Sequence, residues 1–497
     1  MECLNFTLLL VFILVFKLVL QKHVKRPNLP PSPPSLPILG HLHLVNQPMH
    51  RSLGDLCTKY GDLLFLRFGT RKVLVVSSPS AVEECFTKND IIFANRPRLI
   101  AGKHLQYNYR TIGFSSYGDH WRNLRRVTSM ELFSTSRLNK FSKILEEEIQ
   151  LLLKQLFQES RDREMRVQLS SLFTEVAFNV LLRMIAGKRY YGKGVVDNEA
   201  KEFRVLIREF AQLHGTAHLS DFFPFLQWID FQGIERRMIK IMKKVDAFVQ
   251  HLVNEKREKI TESSLGVSGL NSIDGESGTT LIDTMLLLQE TQPELYTDED
   301  IKGVIMTMLI GGSETSAVTM DWAMSLLLNN PQAMQKTVSD IEATVGIRHL
   351  VDETTLPNLN YLQNSSEDCV VCDFNVPKGT MLLVNAWKIH RDPKYWVKPE
   401  SFMPERFEGG EVERYKLLPF GAGRRICPGA ALGRRTVGLT LGALIQCFEW
   451  YRISEKKIDM TEGIGLTMPK LEPLEALCKP RKGMDDVLCY EHSGAPD

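Results

Sequence analysis

The chain has 497 residues, with 61 Lys plus Arg against 59 Asp plus Glu. That length exceeds the roughly 100 to 200 residues of a usual single domain, so a large core is within reach. A near-zero net charge excludes the bulk signature of a polyanion binder, and nine scattered cysteines, an odd number, exclude the dense even framework of a small secreted domain.

At the start, Leu4 to Leu20 is apolar except for Asn5, Thr7 and Lys17, and the basic run Lys22, His23, Lys25, Arg26 follows. This stretch is at the short end of what spans a bilayer, and Lys17 can snorkel to the interface. Glu2 stands where a signal peptide carries Lys or Arg, and no small-x-small cleavage site precedes the basic run, which favours an uncleaved anchor. The basic flank faces the cytosol by the positive-inside rule, which leaves the short N-terminus lumenal. The expected organisation is a membrane anchor over 1–21, a basic and proline-rich hinge over 22–40, and one large domain over 41–497. Prolines between Pro27 and Pro37 make the hinge a stiff spacer, and a disordered linker fits the same composition.

Further along, β-like runs at Leu63 to Phe68 and Lys72 to Val76 precede helical patterns that dominate from about Ser116 to Asn330. The Ser/Gly-rich stretch Thr261 to Thr280 reads as an exposed loop. Thr297 and Asp300 form a capping box that starts one long helix ending at Asn329, Asn330, Pro331. Within it lie Gly311, Gly312, Ser313, Glu314, Thr315 and Ser316. Each glycine costs about 1 kcal/mol against alanine there, so the pair needs a reason. One is a local loosening that opens a groove, with Glu314 and Thr315 as an acid and an alcohol able to relay protons. The other is a packing notch beside an exposed Glu. Between Cys369 and Trp387 β-like character returns. Cys369 and Cys372 make a lone Cys-x-x-Cys, which fits an apolar strand better than a metal or redox site. A last helix is expected from about Ala431 to Phe448.

Residues 420 to 429 read Phe-Gly-Ala-Gly-Arg-Arg-Ile-Cys-Pro-Gly. Gly421 and Gly423 allow a tight turn, and Pro428 and Gly429 lead into a helix whose N-terminus favours an anionic sulfur on Cys427. A buried structural cysteine is the ordinary alternative for a lone Cys. The run resembles the cytochrome P-450 signature Phe-x-x-Gly-x-Arg-x-Cys-x-Gly, and the resemblance extends over nearly the whole chain. It implies a mainly α fold with small β-sheets behind an N-terminal transmembrane helix. It also implies haem b with Cys427 as the ligand to iron, Phe420 beside the sulfur, Gly421 and Gly423 under the macrocycle, and Arg425 on a propionate. Trp121 and Arg125 resemble the family's Trp-x-x-x-Arg, another propionate contact. Gly311 to Ser316 is similar to the oxygen-handling pattern of the central helix, which makes Thr315 and Glu314 the expected catalytic pair.

One family element is missing. Pro404, Glu405, Arg406 and Phe407 match its Pro-Glu-Arg-Phe, but the partner Glu-x-x-Arg helix does not precede them; between Thr315 and Cys427 the only such spacing, Glu411 to Arg414, comes too late. The chain runs from Asn364 into Ser365 where relatives carry that helix and a substrate-contacting strand, so an internal deletion is expected there. An Arg left buried without its partner would cost about 3 to 5 kcal/mol. Two classes of function follow: an active monooxygenase, or a non-catalytic or misfolded relative from splicing, gene decay or a faulty gene structure.

The hinge, the SSEDC run and VPKGTMLLVNAW are most similar to plant microsomal members that oxidise specialised metabolites, isoflavone hydroxylases among them. The implied reaction inserts one atom of O2 into a small lipophilic metabolite, flavonoid, lignan or terpenoid-like, at the endoplasmic reticulum membrane. No flavin or dinucleotide module is present in the sequence, so NADPH electrons would come through a separate flavoprotein reductase. Arg414, Lys416, Arg424, Arg434 and Arg435 are candidates for a face that meets it, or are simply solvated charges and propionate partners.

Overall fold

The computed structural model describes residues 28–484 apart from 162, 193–197, 217, 229, 231, 265–279, 346–361, 409–411 and 464. The expected anchor, the first part of the hinge and most of the Ser/Gly-rich loop lie outside these residues.

Leu63–Phe68 (β1) and Arg71–Val76 (β2) form an antiparallel hairpin, as their alternation predicts. Every side chain from Val73 to Val76 is buried, because β2 has apolar clusters on both faces. Leu74 and Val76 point into one cluster, Val73 and Val75 into the other. The described part of the hinge is docked on this hairpin. The Phe65 amide donates to Pro31 O at 2.9 Å, and Gly40 bridges to Phe68. A free spacer would show neither bond, so the last hinge residues belong to the folded domain.

The helices then build the main core. Asp119–Val127 (α1), Thr135–Ser160 (α2), Leu169–Ala186 (α3) and Ile234–Ser264 (α4) precede Asp298–Asn329 (α5), which packs on α3, α4, Pro331–Val345 (α6) and Ala430–Cys447 (α8), while α2 packs on α3 and α8. Between α6 and α8 a short helix, Ala386–Ile389 (α7), caps the sheet region. The capping box at Thr297 and Asp300 is present in both directions, and α5 ends at Asn329 as read from sequence. Its apolar side chains are buried nearly all round, each worth about 1.5 to 3 kcal/mol. Among the described residues α3 is the one helix long and apolar enough to cross a membrane, and two thirds of it is buried in the core, as befits a helix sandwiched between α2 and α5.

Small sheets complete a mainly α fold. Met165–Gln168 (β3) pairs with Glu475–Pro480 (β9), which pairs with Phe448–Tyr451 (β8). Cys369–Val371 (β5) and Phe374–Val376 (β6) form a hairpin whose turn is Cys372–Asp373, both at positive φ. The Cys-x-x-Cys is thus a strand and its turn.

The chain across the expected junction is part of the larger sheet. Leu362–Asn364 (β4) pairs antiparallel with Met381–Val384 (β7), and β7 pairs parallel with β2, giving the order β1-β2-β7-β4. The Ser365 amide continues the contact to Thr380 O at 2.9 Å. The expected penalty at Arg406 is not found. Its guanidinium is partly exposed and donates to Val397 O, Lys398 O and Ser401 O, lying 5.7 Å from the Trp396 ring. Glu405 is held instead by Lys336 of α6, at 3.3 Å. Backbone carbonyls satisfy the partly exposed cation, so no buried charge is stranded.

Candidate haem-thiolate site

The loop before α8 is folded tightly on itself. The Cys427 amide donates to Phe420 O at 2.9 Å, which draws the two ends of the motif together. Gly421 and Gly423 stand at φ +74° and +66°, a region costly for other L-residues. A Cβ on Gly423 would also collide with Asp90 Oδ1, whose carboxylate accepts the Arg424 amide and pairs with its Nε, each at 3.0 Å. Cys427 is a free, partly exposed thiol just ahead of the α8 N-terminus. Gly429 lies beside the sulfur: a Cβ there would be 3.9 Å from Sγ, an ordinary contact. The Phe420 ring is held against α8, with the Arg434 guanidinium 5.2 Å from its centroid.

Arg425 is only 4% exposed. It donates to Ala94 O (2.7 Å), Ile112 O (3.1 Å) and Ser115 O (2.6 Å), and stacks 4.4 Å over the Trp121 ring. It has no ion pair among the described residues. Burial, then the neighbouring cations Arg96 and Arg125, pull its pKa down to about 9. A cationic group in such surroundings calls for an anion, and three of its five donors are used, which leaves two for one. Arg125 donates to Ile426 O at 2.6 Å, the carbonyl just before Cys427. The Trp121 indole N–H is committed to Ile112 O at 3.1 Å, so Trp121 supports Arg425 and is not itself a free donor. Sulfur, a tight glycine-bearing loop, the buried Arg425 and the partly exposed Arg125 together fit a haem with its propionates.

The central helix packs against α8, the helix that the Cys427 loop leads into. α5 remains helical through Gly311 and Gly312, contrary to the expected local loosening. The hydroxyls of Thr315 and Ser316 return to the carbonyls four residues back, Gly311 O and Gly312 O, which keeps the turn closed. The two readings of the glycine pair divide between them. A Cβ on Gly312 would approach Leu181 of α3 to 2.8 Å, so this glycine is a packing notch. Gly311 is exposed in the middle of an otherwise buried helix, and a Cβ there meets nothing within 4 Å. Gly311 therefore leaves the space of a side chain open without unwinding the backbone.

Glu314 is half-buried rather than exposed. Its Oε1 accepts the Thr467 hydroxyl at 2.9 Å, while Oε2 is buried without a partner. Burial raises its pKa, and the Thr467 bond opposes that rise. Thr467 carried no signal in the sequence, because it lies in an irregular segment more than 150 residues away.

The family described as Cytochrome P450 matches residues 30–365 and 364–474 of this chain. The chain is a cytochrome P450. It is 52% identical over 484 residues to Cytochrome P450 81Q32 of Catharanthus roseus, covering 93% of this chain and 94% of that protein. It is 47% identical to isoflavone 3'-hydroxylase of Medicago truncatula, covering 96% and 98%. It is 46% identical to (+)-piperitol/(+)-sesamin synthase of Sesamum radiatum, covering 93% and 92%. These similarities make the chain a P450 monooxygenase by family, akin to plant enzymes named as hydroxylases and synthases, and they do not favour a non-catalytic class.

Proposed function

We propose that this P450 hydroxylates or otherwise oxidises a small lipophilic plant metabolite of the flavonoid, isoflavonoid or lignan kind. The names of its relatives support that class, since they act on an isoflavone or make a lignan. The observation that carries the reading is the Cys427 loop backed by the buried Arg425. A thiolate-ligated haem, when bound, supplies the activation of dioxygen. Cys427 would hold the iron, Phe420 would shield the sulfur, and Gly421 and Gly423 would let the loop lie flat beneath the macrocycle. Arg425 and Arg125 would bind the propionates, with Trp121 stacked behind Arg425. Thr315 and Glu314 would hold and pass protons to dioxygen, the carboxyl of Glu314 having its pKa raised by burial.

Electrons would come from NADPH through a separate membrane-bound flavoprotein reductase. The candidate basic face is partly neutralised: Lys416 pairs with Glu413 and Arg424 with Asp90. Arg414 and Arg434 have cation–π contacts with Tyr415 and Phe420, and the Arg435 guanidinium reaches Asn139. Charge reversal at Arg434 and Lys416 should slow reduction of the iron, and unchanged reduction would remove the docking role.

The reading also places the enzyme at the endoplasmic reticulum membrane by a single pass, with the catalytic domain cytosolic. An exposed apolar patch supports a membrane-facing side. Ile38 (64%), Phe225 (63%) and Trp228 (92%) protrude from two segments that both bond to the β1–β2 turn, Leu39 O to Gly69 N and Phe222 O to Thr70 N.

The deletion between Asn364 and Ser365 is part of the proposal. The family match breaks at that point, and the alignment with isoflavone 3'-hydroxylase runs over 505 positions, more than the 497 this chain has. The deciding experiment is the reduced, carbon-monoxide-treated spectrum of the full-length protein in membranes. A red-shifted Soret band is expected, and Cys427→Ser should abolish it; a wild-type protein that takes up no haem would overturn the reading.

A further inference from the structure

The loop that carries Cys427 is restrained at its middle by Asp90 and at its far end by Arg125. Its incoming limb is restrained by a residue that no motif includes. The Leu418 amide donates to His390 Nε2 at 2.9 Å. Pro419 has no N–H, so this is the last amide available before Phe420, whose carbonyl takes the Cys427 amide. Leu418 is buried in the same apolar cluster as Ala386, Ile389 and Ala422, which shields the bond from water.

His390 itself is mounted on the sheet. It caps α7, with its own amide on Ala386 O at 2.8 Å. Asn385 starts α7 by accepting the Lys388 amide, and its backbone amide donates to Val76 O of β2 at 2.8 Å. A rigid path therefore runs from β2 through α7 to the imidazole and on to the sulfur loop. Burial, with Arg391 adding to it, pushes the His390 pKa down to about 4, so the ring stays neutral with Nε2 as an acceptor.

We propose that His390 is a positioning residue for the Cys427 thiolate, fixing the incoming limb of its loop through Leu418. Without that acceptor the buried amide is unsatisfied and the loop slackens, and the sulfur is lost as an anionic ligand while haem is retained. The proposal rests on Cys427 being the ligand to iron. The test compares full-length wild type, His390→Leu and His390→Gln in membranes. It measures the ratio of red-shifted to blue-shifted Soret absorbance in the reduced carbon-monoxide complex, alongside total haem by extraction. His390→Leu should lower the ratio about tenfold, the scale set by an unpaired buried amide, with total haem retained. His390→Gln, which keeps an acceptor, should restore most of it. An unchanged ratio in His390→Leu overturns the proposal. So does a loss of total haem at constant ratio, or an equal fall in both variants, which would assign the effect to packing. A wild type with haem but no red-shifted band would instead refute the Cys427 assignment.

Discussion

At the scale of single residues, Gly311 and Gly312 make opposite predictions from the same substitution. Alanine at 311 has room and removes a helix-interior glycine, so Gly311→Ala should raise the unfolding free energy by up to about 1 kcal/mol. It should also obstruct the groove and weaken ligand-induced shifts of the Soret band. Alanine at 312 collides with Leu181, and overpacking of about 1 to 3 kcal/mol should outweigh the propensity gain. Thermal melts of the two variants check the signs. For Glu314, removing the Thr467 bond takes away the contact that opposes burial, so Thr467→Val should raise the carboxyl's pKa further. The pH profile of product formed per reductant consumed should move to higher pH; an unmoved profile would separate Thr467 from the relay. Thr315→Ala should uncouple reductant from product. Cys427, Arg425 and Glu314 are legible in the sequence as candidates because each belongs to a short contiguous motif. It could not show Thr467, Asp90 or His390, whose roles depend on contacts made across the fold.

At the scale of elements, hydrogen-bonded periodicity was the readable signal. β1, β2, α5 and α8 fall where alternation, capping chemistry and proline stops put them, because each is specified by its own side chains. The hinge was misjudged since its docking depends on β1, and the glycine pair since hydroxyl-to-carbonyl bonds hold the turn together. The start of α5 carries a pH prediction. The Arg257 guanidinium beside Asp298, helped by Gln289, lowers its pKa to about 2. A carboxyl depressed on folding stabilises above its unfolded value near 3.9, and that contribution is lost as pH falls toward about 2. Asp298→Asn should therefore destabilise at neutral pH and show a weaker acid dependence between those values, read from urea midpoints. The gain is modest because the pair is partly solvated. Thr297→Ala should cost about 1 kcal/mol at every pH through the lost cap.

At the scale of the whole molecule, the proposed deletion leaves the Pro-Glu-Arg-Phe segment with other partners than the motif suggests. Arg406 rests on carbonyls and Glu405 on Lys336, so Arg406→Ala should cost little. The sheet is closed at that side by β4, a strand of three residues. Inserting a Glu-x-x-Arg helix and its strand between Asn364 and Ser365 should raise the haem-loaded fraction, measured per milligram of protein. No gain would mean that the present edge suffices.

Arg425 has one more consequence. A polypeptide that carries this cation to its interior before any porphyrin arrives is holding a charge without an ion pair among the described residues, and on the proposed reading pigment uptake would neutralise it. Supply of pigment should then govern how much polypeptide survives, so cells starved of iron would accumulate less of the chain rather than a colourless form of it.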